Sequence, residues 1–113
     1  MTMFEREQYV VECSTGSDVA VMRGVMRLAS PAAYDGVFAP LRDRLASGES
    51  QTIDLSEVSF MNSSGIRALA SLVLLAKAKG AALRMIASDK VPWQKKTVAS
   101  FRAISPSLAV DLR

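Results

Sequence analysis

The sequence predicts an α/β fold: a mixed, mostly parallel sheet of four to five strands with helices packed on it. The main observation is the order of patterns along the 113 residues, which reads β, β, α, β, α, β, α and a candidate last β. Strand–helix–strand alternation is typical of parallel sheets, because parallel neighbours need a long crossover connection. Half of the residues are hydrophobic but only 6% are aromatic, which indicates a mostly aliphatic core. The length fits a single domain, residues 1–113.

Two strands are predicted near the N-terminus. Residues 8–14, QYVVECS, form a short apolar run, with Cys13 as a small strand residue, and a turn cluster follows at residues 14–18. Residues 18–28 are rich in Val and Met with partial alternation, which indicates a second strand antiparallel to the first. Gly24 lies inside this run and permits a bulge or a bend.

The first helix is predicted to begin at Ser30-Pro31, because a hydroxyl N-cap followed by proline is a common helix start. Its apolar face has helical spacing and consists of Tyr34, Val37, Phe38, Leu41 and Leu45. Pro40 lies inside this pattern and lacks a backbone donor, so we expect it to kink the helix or split it in two.

The central segment predicts a strand followed by a helix. Thr52–Leu55 is the predicted strand, and Ser56-Glu57 is predicted to be a loop. Asn62 is predicted to cap a helix running from Ser63 to about Lys79. Gly80 is the predicted stop signal of this helix.

The C-terminal segment predicts one more strand and helix. Ala82–Ala87 is the strand, and Ser88 or Asp89 would cap a helix running to about Ala103. Leu108–Leu112 is a candidate final strand.

Residue content argues against catalysis. The chain has no histidine, which excludes a histidine base and histidine-ligated metals within it. Cys13 is the single cysteine, so neither an internal disulfide nor a thiolate cluster can form. The carboxylates Asp54 and Glu57 are interpreted as surface charge. We therefore expect no enzyme activity, no cofactor and no metal.

Charge and hydropathy indicate a cytoplasmic protein without nucleic-acid binding or membrane insertion. The net charge is +3, but the basic residues are scattered and no aromatic stacking motif accompanies them. The N-terminus lacks the apolar core of a signal peptide. The longest apolar stretch, residues 68–76, is far shorter than the roughly 20 residues of a membrane-spanning helix.

The segment FMNSSGIRAL, residues 60–69, places small hydroxyl residues between an apolar strand and an apolar helix. One interpretation is a plain N-cap. The other is a chemical switch, because a phosphate added at a helix N-terminus would be held by unpaired N–H groups and would add roughly 1.5 to 2 negative charges. The residues alone leave both interpretations open.

Residues 53–88 resemble the STAS domain of bacterial anti-sigma factor antagonists, whose pattern is D-L-x-x-V-x-F-M/I-D-S-S-G, then an apolar helix, a glycine and a strand. The positions that match the pattern are Asp54, Leu55, Val58, Phe60, Ser63, Ser64 and Gly65. The resemblance covers residues 8–112 and implies the STAS fold, which agrees with the predicted element order.

The resemblance implies that Ser63 is the phosphorylation site of a partner-switching regulator. In this family a serine kinase that is often also the anti-sigma factor binds the unphosphorylated antagonist, and a PP2C-type phosphatase restores the serine. Carried over to this chain, the implied partner-binding residues are Phe60, Met61, Asn62, Ser64, Gly65, Arg67 and Arg27. The free protein is expected to be a monomer.

Two positions depart from the family pattern. Asn62 stands where the family usually has Asp, and Arg27 stands where a family G-x-L-D stretch has Asp. Both changes move charge in the positive direction near Ser63, which favours a partner other than a typical sigma-factor kinase. The alternative function is a STAS accessory subunit of a lipid or anion transport system that is not phosphorylated. Small-molecule or nucleotide sensing by the same fold is a third, for which no phosphate-binding loop is visible.

Overall fold

The computed structural model describes residues 2–5, 8–13 and 17–113 and contains one sheet with helices packed on it. The strands are β1 (Thr2–Glu5), β2 (Tyr9–Cys13), β3 (Val19–Met26), β4 (Gln51–Met61), β5 (Leu83–Ala87) and β6 (Ala109–Leu112). The helices are α1 (Pro31–Ala46), α2 (Ser63–Lys79) and α3 (Pro92–Ile104). The predicted turn at residues 14–18 includes 14–16, which lie outside the described residues.

The six strands lie in the sheet in the same order as in the chain. The pairs β1–β2 and β2–β3 are antiparallel, and the pairs β3–β4, β4–β5 and β5–β6 are parallel. Each helix connects two adjacent parallel strands, so right-handed crossovers place all three helices on the same face. The predicted α/β class and the mixed, mostly parallel sheet are confirmed.

Strand β1 adds a sixth strand to the predicted four to five. It pairs with β2 from Thr2 opposite Cys13 to Glu5 opposite Val10. A four-residue edge strand is held through backbone hydrogen bonds, which need no long apolar alternation in the sequence. The sequence pattern therefore had no signal for it.

Strand β4 continues through Ser56-Glu57, so the prediction of a loop there is wrong. The register with β3 shifts twice, between Val21 and Arg23 and again between Gly24 and Val25. Such irregularities change which side chains face the core, and an alternating pattern then appears to stop. The Asp54 carboxylate bridges the irregular stretch, accepting hydrogen bonds from the Ser56 backbone N–H (3.0 Å) and hydroxyl (2.6 Å).

Helix α1 is one continuous helix, so Pro40 does not split it. The predicted N-cap is confirmed, since the Ser30 hydroxyl accepts a hydrogen bond from the Ala33 backbone N–H at 3.3 Å. Pro40 would crowd the carbonyl four residues earlier, which belongs to Gly36. The surroundings of Gly36 are open, so the backbone there has room to adjust.

The core lies between the sheet and the helix layer. Its largest fully buried apolar side chains come from β2, β3, β4, β5, α1 and α2 and include Tyr34, Phe38, Met22, Met26, Leu41, Leu45, Ile53, Leu55, Leu69 and Met85. Gln94 of α3 is also fully buried, and its amide nitrogen donates to the Val58 carbonyl oxygen at 2.8 Å. This polar contact fixes α3 against β4. Among the described helices, none has the length and apolar character needed to cross a membrane.

Candidate functional site

The junction between β4 and α2 presents an aromatic and a hydroxyl side chain at the surface. Phe60 is 42% exposed, and Ser63, the first residue of α2, is also exposed. Ser64 is half-buried, whereas Met61 and Gly65 are buried. Of these predicted partner-binding residues, Phe60 and Ser64 are therefore accessible to a partner, and Met61 and Gly65 shape the surface from beneath.

Asn62 is the predicted N-cap, and the structure confirms that role. Its side-chain Oδ1 accepts a hydrogen bond from the Gly65 backbone N–H at 3.1 Å. The same oxygen accepts one from the Tyr34 hydroxyl at 2.7 Å, and Nδ2 donates to the Leu28 carbonyl oxygen at 2.8 Å. The Asn62 backbone N–H donates to the Met26 carbonyl oxygen at 3.0 Å. One side chain thus links α2 to α1 and to the end of β3.

This arrangement uses both chemical functions of an amide. Oδ1 receives two donors while Nδ2 supplies one, and a carboxylate has no donor to supply. An aspartate at this position would place a negative oxygen against the Leu28 carbonyl. The structure therefore gives a local reason for Asn62 at the position where the pattern that the sequence resembles has Asp.

Tyr34 is the second member of this network and was not predicted as a site residue. It is fully buried in α1, and its hydroxyl accepts a hydrogen bond from the Leu28 backbone N–H at 3.3 Å. Burial raises the pKa of the Tyr34 phenol, so the hydroxyl stays protonated and donates to Asn62. Both backbone polar groups of Leu28 are consequently held by side chains of other elements. We call Leu28, Tyr34 and Asn62 the amide clamp.

Gly65 allows the close approach of α2 to Tyr34. A Cβ atom added at Gly65 would lie 2.8 Å from the Tyr34 hydroxyl oxygen and 2.8 Å from its Cζ. Ordinary carbon contacts are about 3.5–4.0 Å, so a side chain here would displace the ring or the helix. The glycine at this position is therefore explained by its close packing against Met61 and against Tyr34 of the clamp.

Arg27 lies next to the clamp and reaches Phe60. Its guanidinium carbon is 4.9 Å from the centroid of the Phe60 ring, within the range of a cation–π contact. Because Leu28 is fixed by the clamp, the backbone that carries Arg27 is held close to the start of α2. The structure thus brings Arg27 to the Phe60 side chain, three positions before Ser63 in the chain.

The electrostatics of this surface are positive. The first turn of α2 has no acidic residue, and exposed Arg67 follows Ser63 by four positions on the same helical face. Within the described residues, the backbone N–H groups of Ser63 and Ser64 have no backbone or side-chain acceptor. The surface therefore offers free donors and a nearby guanidinium to an anion.

Helix α3 supports the strand that leads into the site. The Trp93 indole N–H donates to the Ser59 carbonyl oxygen at 3.0 Å, directly before Phe60. Trp93 is half-buried and packs against the core. Its hydrogen bond to β4 spans 34 residues, so no local sequence signal could have revealed it.

Replacing Tyr34 with phenylalanine tests the clamp. The ring would stay packed, but the Leu28 N–H would lose its acceptor and Asn62 one donor. We expect Tyr34→Phe to lower the free energy of unfolding by about 1–2 kcal/mol at pH 7, measured by urea unfolding. Tyr9→Phe is the matched control and should change it by less than about 0.5 kcal/mol. Equal losses in both variants would contradict the clamp.

The Tyr34→Phe variant should also differ from the wild type in how its stability depends on alkaline pH. The phenol pKa of Tyr34 is higher in the folded than in the unfolded chain, so the folded state holds the proton longer. The contribution of Tyr34 to stability should therefore be fully present below the ordinary tyrosine pKa of about 10 and should fall as the pH rises above it. In Tyr34→Phe this fall should be smaller than in the wild type, and an identical fall in both proteins would contradict the assignment.

Within the described part of the chain, no group of three or more Cys, Asp or Glu residues lies close enough together to hold a metal ion.

In comparisons with known proteins, the family model described as STAS domain matches residues 24–107. This range includes Gly24, the amide clamp, Arg27, Phe60 and all of α2. A search of curated proteins gives no match.

Proposed function

This chain belongs to the STAS domain family, and we propose that it is a phosphorylation-controlled partner-switching regulator with Ser63 as its switch residue. The family supports a role as a regulatory or transport-associated domain that acts through protein partners. The finer proposal resembles the action of an anti-sigma factor antagonist. Unphosphorylated protein would bind a serine kinase of the anti-sigma type, and a PP2C-type phosphatase would reverse the modification.

The observation that carries the proposal is the setting of Ser63. Its side chain is exposed at the first position of α2, while the neighbouring Asn62 is the residue that caps the helix. A plain N-cap interpretation of the serines is therefore not needed to explain the helix start. Ser63 is left free for a chemical role.

The switch follows from the charge that a phosphate would bring. A phosphoserine carries roughly 1.5 to 2 negative charges and three acceptor oxygens. These oxygens would lie near the free N–H groups of Ser63 and Ser64 and near Arg67, so the modified helix start would remain stable. A partner fitted to Phe60 and a neutral hydroxyl would instead meet a desolvated charge. Binding would be lost while the fold persists.

The first experiment is intact mass with peptide mapping on the protein purified from its native cells with phosphatases inhibited. We expect an added phosphoryl group on the peptide that contains Ser63, absent from Ser63→Ala and retained in Ser64→Ala. For partner binding, Ser63→Ala should behave as wild type, whereas Ser63→Asp should weaken binding at least tenfold. Ser100→Asp, at an exposed serine of α3, is the charge-matched control and should leave binding unchanged.

Persistent absence of the phosphoryl group across growth conditions would contradict the proposal. So would a Ser63→Asp variant that binds its partner as well as the wild type does. Both results together would favour the alternative of a constitutively docked accessory subunit of a lipid or anion transport system.

A further inference from the structure

We infer that the partner's contact surface is acidic and carries an apolar side chain that packs on Leu74, about 16 Å along α2 from Ser63. This inference rests on the proposed function, because it names the chemistry of the partner that the Ser63 surface would bind. It extends the contact surface to a residue that neither the sequence pattern nor the family resemblance assigns.

Leu74 is the most exposed of the large hydrophobic side chains in the described part of the chain, at 51%. At 3.6 residues per turn, positions 63, 67, 70 and 74 lie within an arc of about 60° on one helical face. We call Ser63, Arg67, Ala70 and Leu74 the α2 stripe. Arg67 and Ser63 are exposed and Ala70 is small and half-buried, so the stripe is open from the phosphorylation site to Leu74.

The charged side chains of helix α2 are all positive. Helix α2 contains Arg67, Lys77 and Lys79 and no acidic residue. In the described residues, five arginines form ion pairs with carboxylates of this chain: Arg23, Arg42, Arg44, Arg84 and Arg113. Arg27 and Arg67, the two arginines at the proposed docking surface, form none, and neither does Arg102 of α3. Carboxylates supplied by a partner would complement both.

A protein surface fits this chemistry better than a polyanion does. Nucleic acids and anionic membranes gain affinity from many basic residues that follow a phosphate array. Here two arginines accompany two exposed apolar side chains, Phe60 and Leu74. Protein interfaces combine such apolar anchors with a charged rim. The geometry therefore points to an acidic protein surface with one apolar anchor about 10 Å from the carboxylate that meets Arg67.

The experiment places a photo-crosslinking phenylalanine analogue at position 74 of the full chain in its native cells. The matched control carries the same analogue at Leu112, an exposed leucine of β6 (42%). We expect a protein adduct at position 74 that is at least tenfold more abundant than the adduct at position 112. In the partner's crosslinked peptide, the attached residue should be flanked by Asp or Glu. Arg67→Glu should lower the adduct yield about tenfold. Arg102→Glu, at an exposed arginine of α3, should leave it unchanged.

Equal adducts at positions 74 and 112, or no adduct at 74, would overturn the inference. The inference would also be overturned by an adduct that nuclease removes, by one that has the mass of a lipid, or by one whose yield Arg67→Glu does not change. Adding Ser63→Asp separates the two proposals. An Arg67-dependent protein adduct that Ser63→Asp leaves intact supports the acidic surface and contradicts the switch. A phosphorylated Ser63 without any adduct at 74 supports the switch and contradicts the surface.

Discussion

Asn62→Asp is expected to lower the free energy of unfolding by about 2 kcal/mol at pH 7, although aspartate is normally a good N-cap. The hydrogen bonds from Tyr34 and from the Gly65 N–H to this position can survive, because both end on an oxygen. The loss of stability comes from the third contact, between the Asn62 side chain and the Leu28 carbonyl oxygen. The Leu28 carbonyl would lose the donor that now lies at 2.8 Å and would face a carboxylate oxygen.

The pH dependence separates this cause from a general loss of packing. A protonated carboxyl can donate to the Leu28 carbonyl, so this contact favours the protonated form in the folded state and raises the pKa of the introduced group. The extra loss should then be present at pH 7 and shrink as the pH falls towards about 4. Urea unfolding of Asn62→Asp and Asn62→Ser at both pH values is the measurement. The serine variant should lose the same amount of stability, relative to the wild type, at both pH values. If the losses in the two variants changed with pH in the same way, the explanation would be contradicted.

Gly24→Ala is expected to have a larger effect, about 3 kcal/mol. Gly24 has φ of 95°, a conformation that costs residues with a Cβ about 1–2 kcal/mol. The added Cβ would also overlap the Gln8 carbonyl oxygen, which accepts a hydrogen bond from the Val25 N–H at 2.7 Å. Overpacking of this kind adds about 1–3 kcal/mol. Thermal or urea unfolding of the purified variant checks the prediction.

Gly36→Ala is the matched control for this substitution. Gly36 lies inside α1, where an added Cβ would meet nothing within 4 Å. Alanine should therefore raise the free energy of unfolding by about 0.5–1 kcal/mol, because it favours helix over the unfolded chain. Opposite signs for the two glycine substitutions are the expected result. A neutral Gly24→Ala would mean that the strand pair β2–β3 can rearrange locally.

The starts of α1 and α2 and the end of α2 could be predicted because their signals are local. Ser30 and Asn62 bond to N–H groups three residues later, and Gly80 ends α2 with φ of 64°. The prediction that Ser88 or Asp89 caps α3 is wrong, since Val91 holds the N-cap position without a side-chain hydrogen bond and the helix begins at Pro92. The register shifts between β3 and β4 were beyond such reasoning, since they depend on how two strands pair across the sheet. The alternation in β4 breaks at Ser56-Glu57 for that reason.

Sequence reasoning named Ser63 and Phe60 of the candidate site and missed Tyr34. Ser63 and Phe60 belong to a contiguous motif, whereas Tyr34 reaches Asn62 from 28 positions away. In the sequence Tyr34 was one member of an apolar helical face, and nothing local distinguishes a tyrosine that packs from one that also donates a hydrogen bond. A fully buried tyrosine does need a partner for its hydroxyl, which is the one signal that could have directed attention to it.

The strand order of the sheet has a consequence for the chain as it leaves the ribosome. Since each strand pairs with its neighbours in sequence, every new strand meets a partner that has already been made. The segment from Gly24 to Lys79 contains Arg27, the amide clamp, Phe60 and the α2 stripe, so the proposed docking surface is synthesised as one continuous piece. Strands β5 and β6 are added later, at the edge farthest from β1. During synthesis the exposed edge of β4 is therefore the place where a nascent chain would most readily pair with the wrong strand.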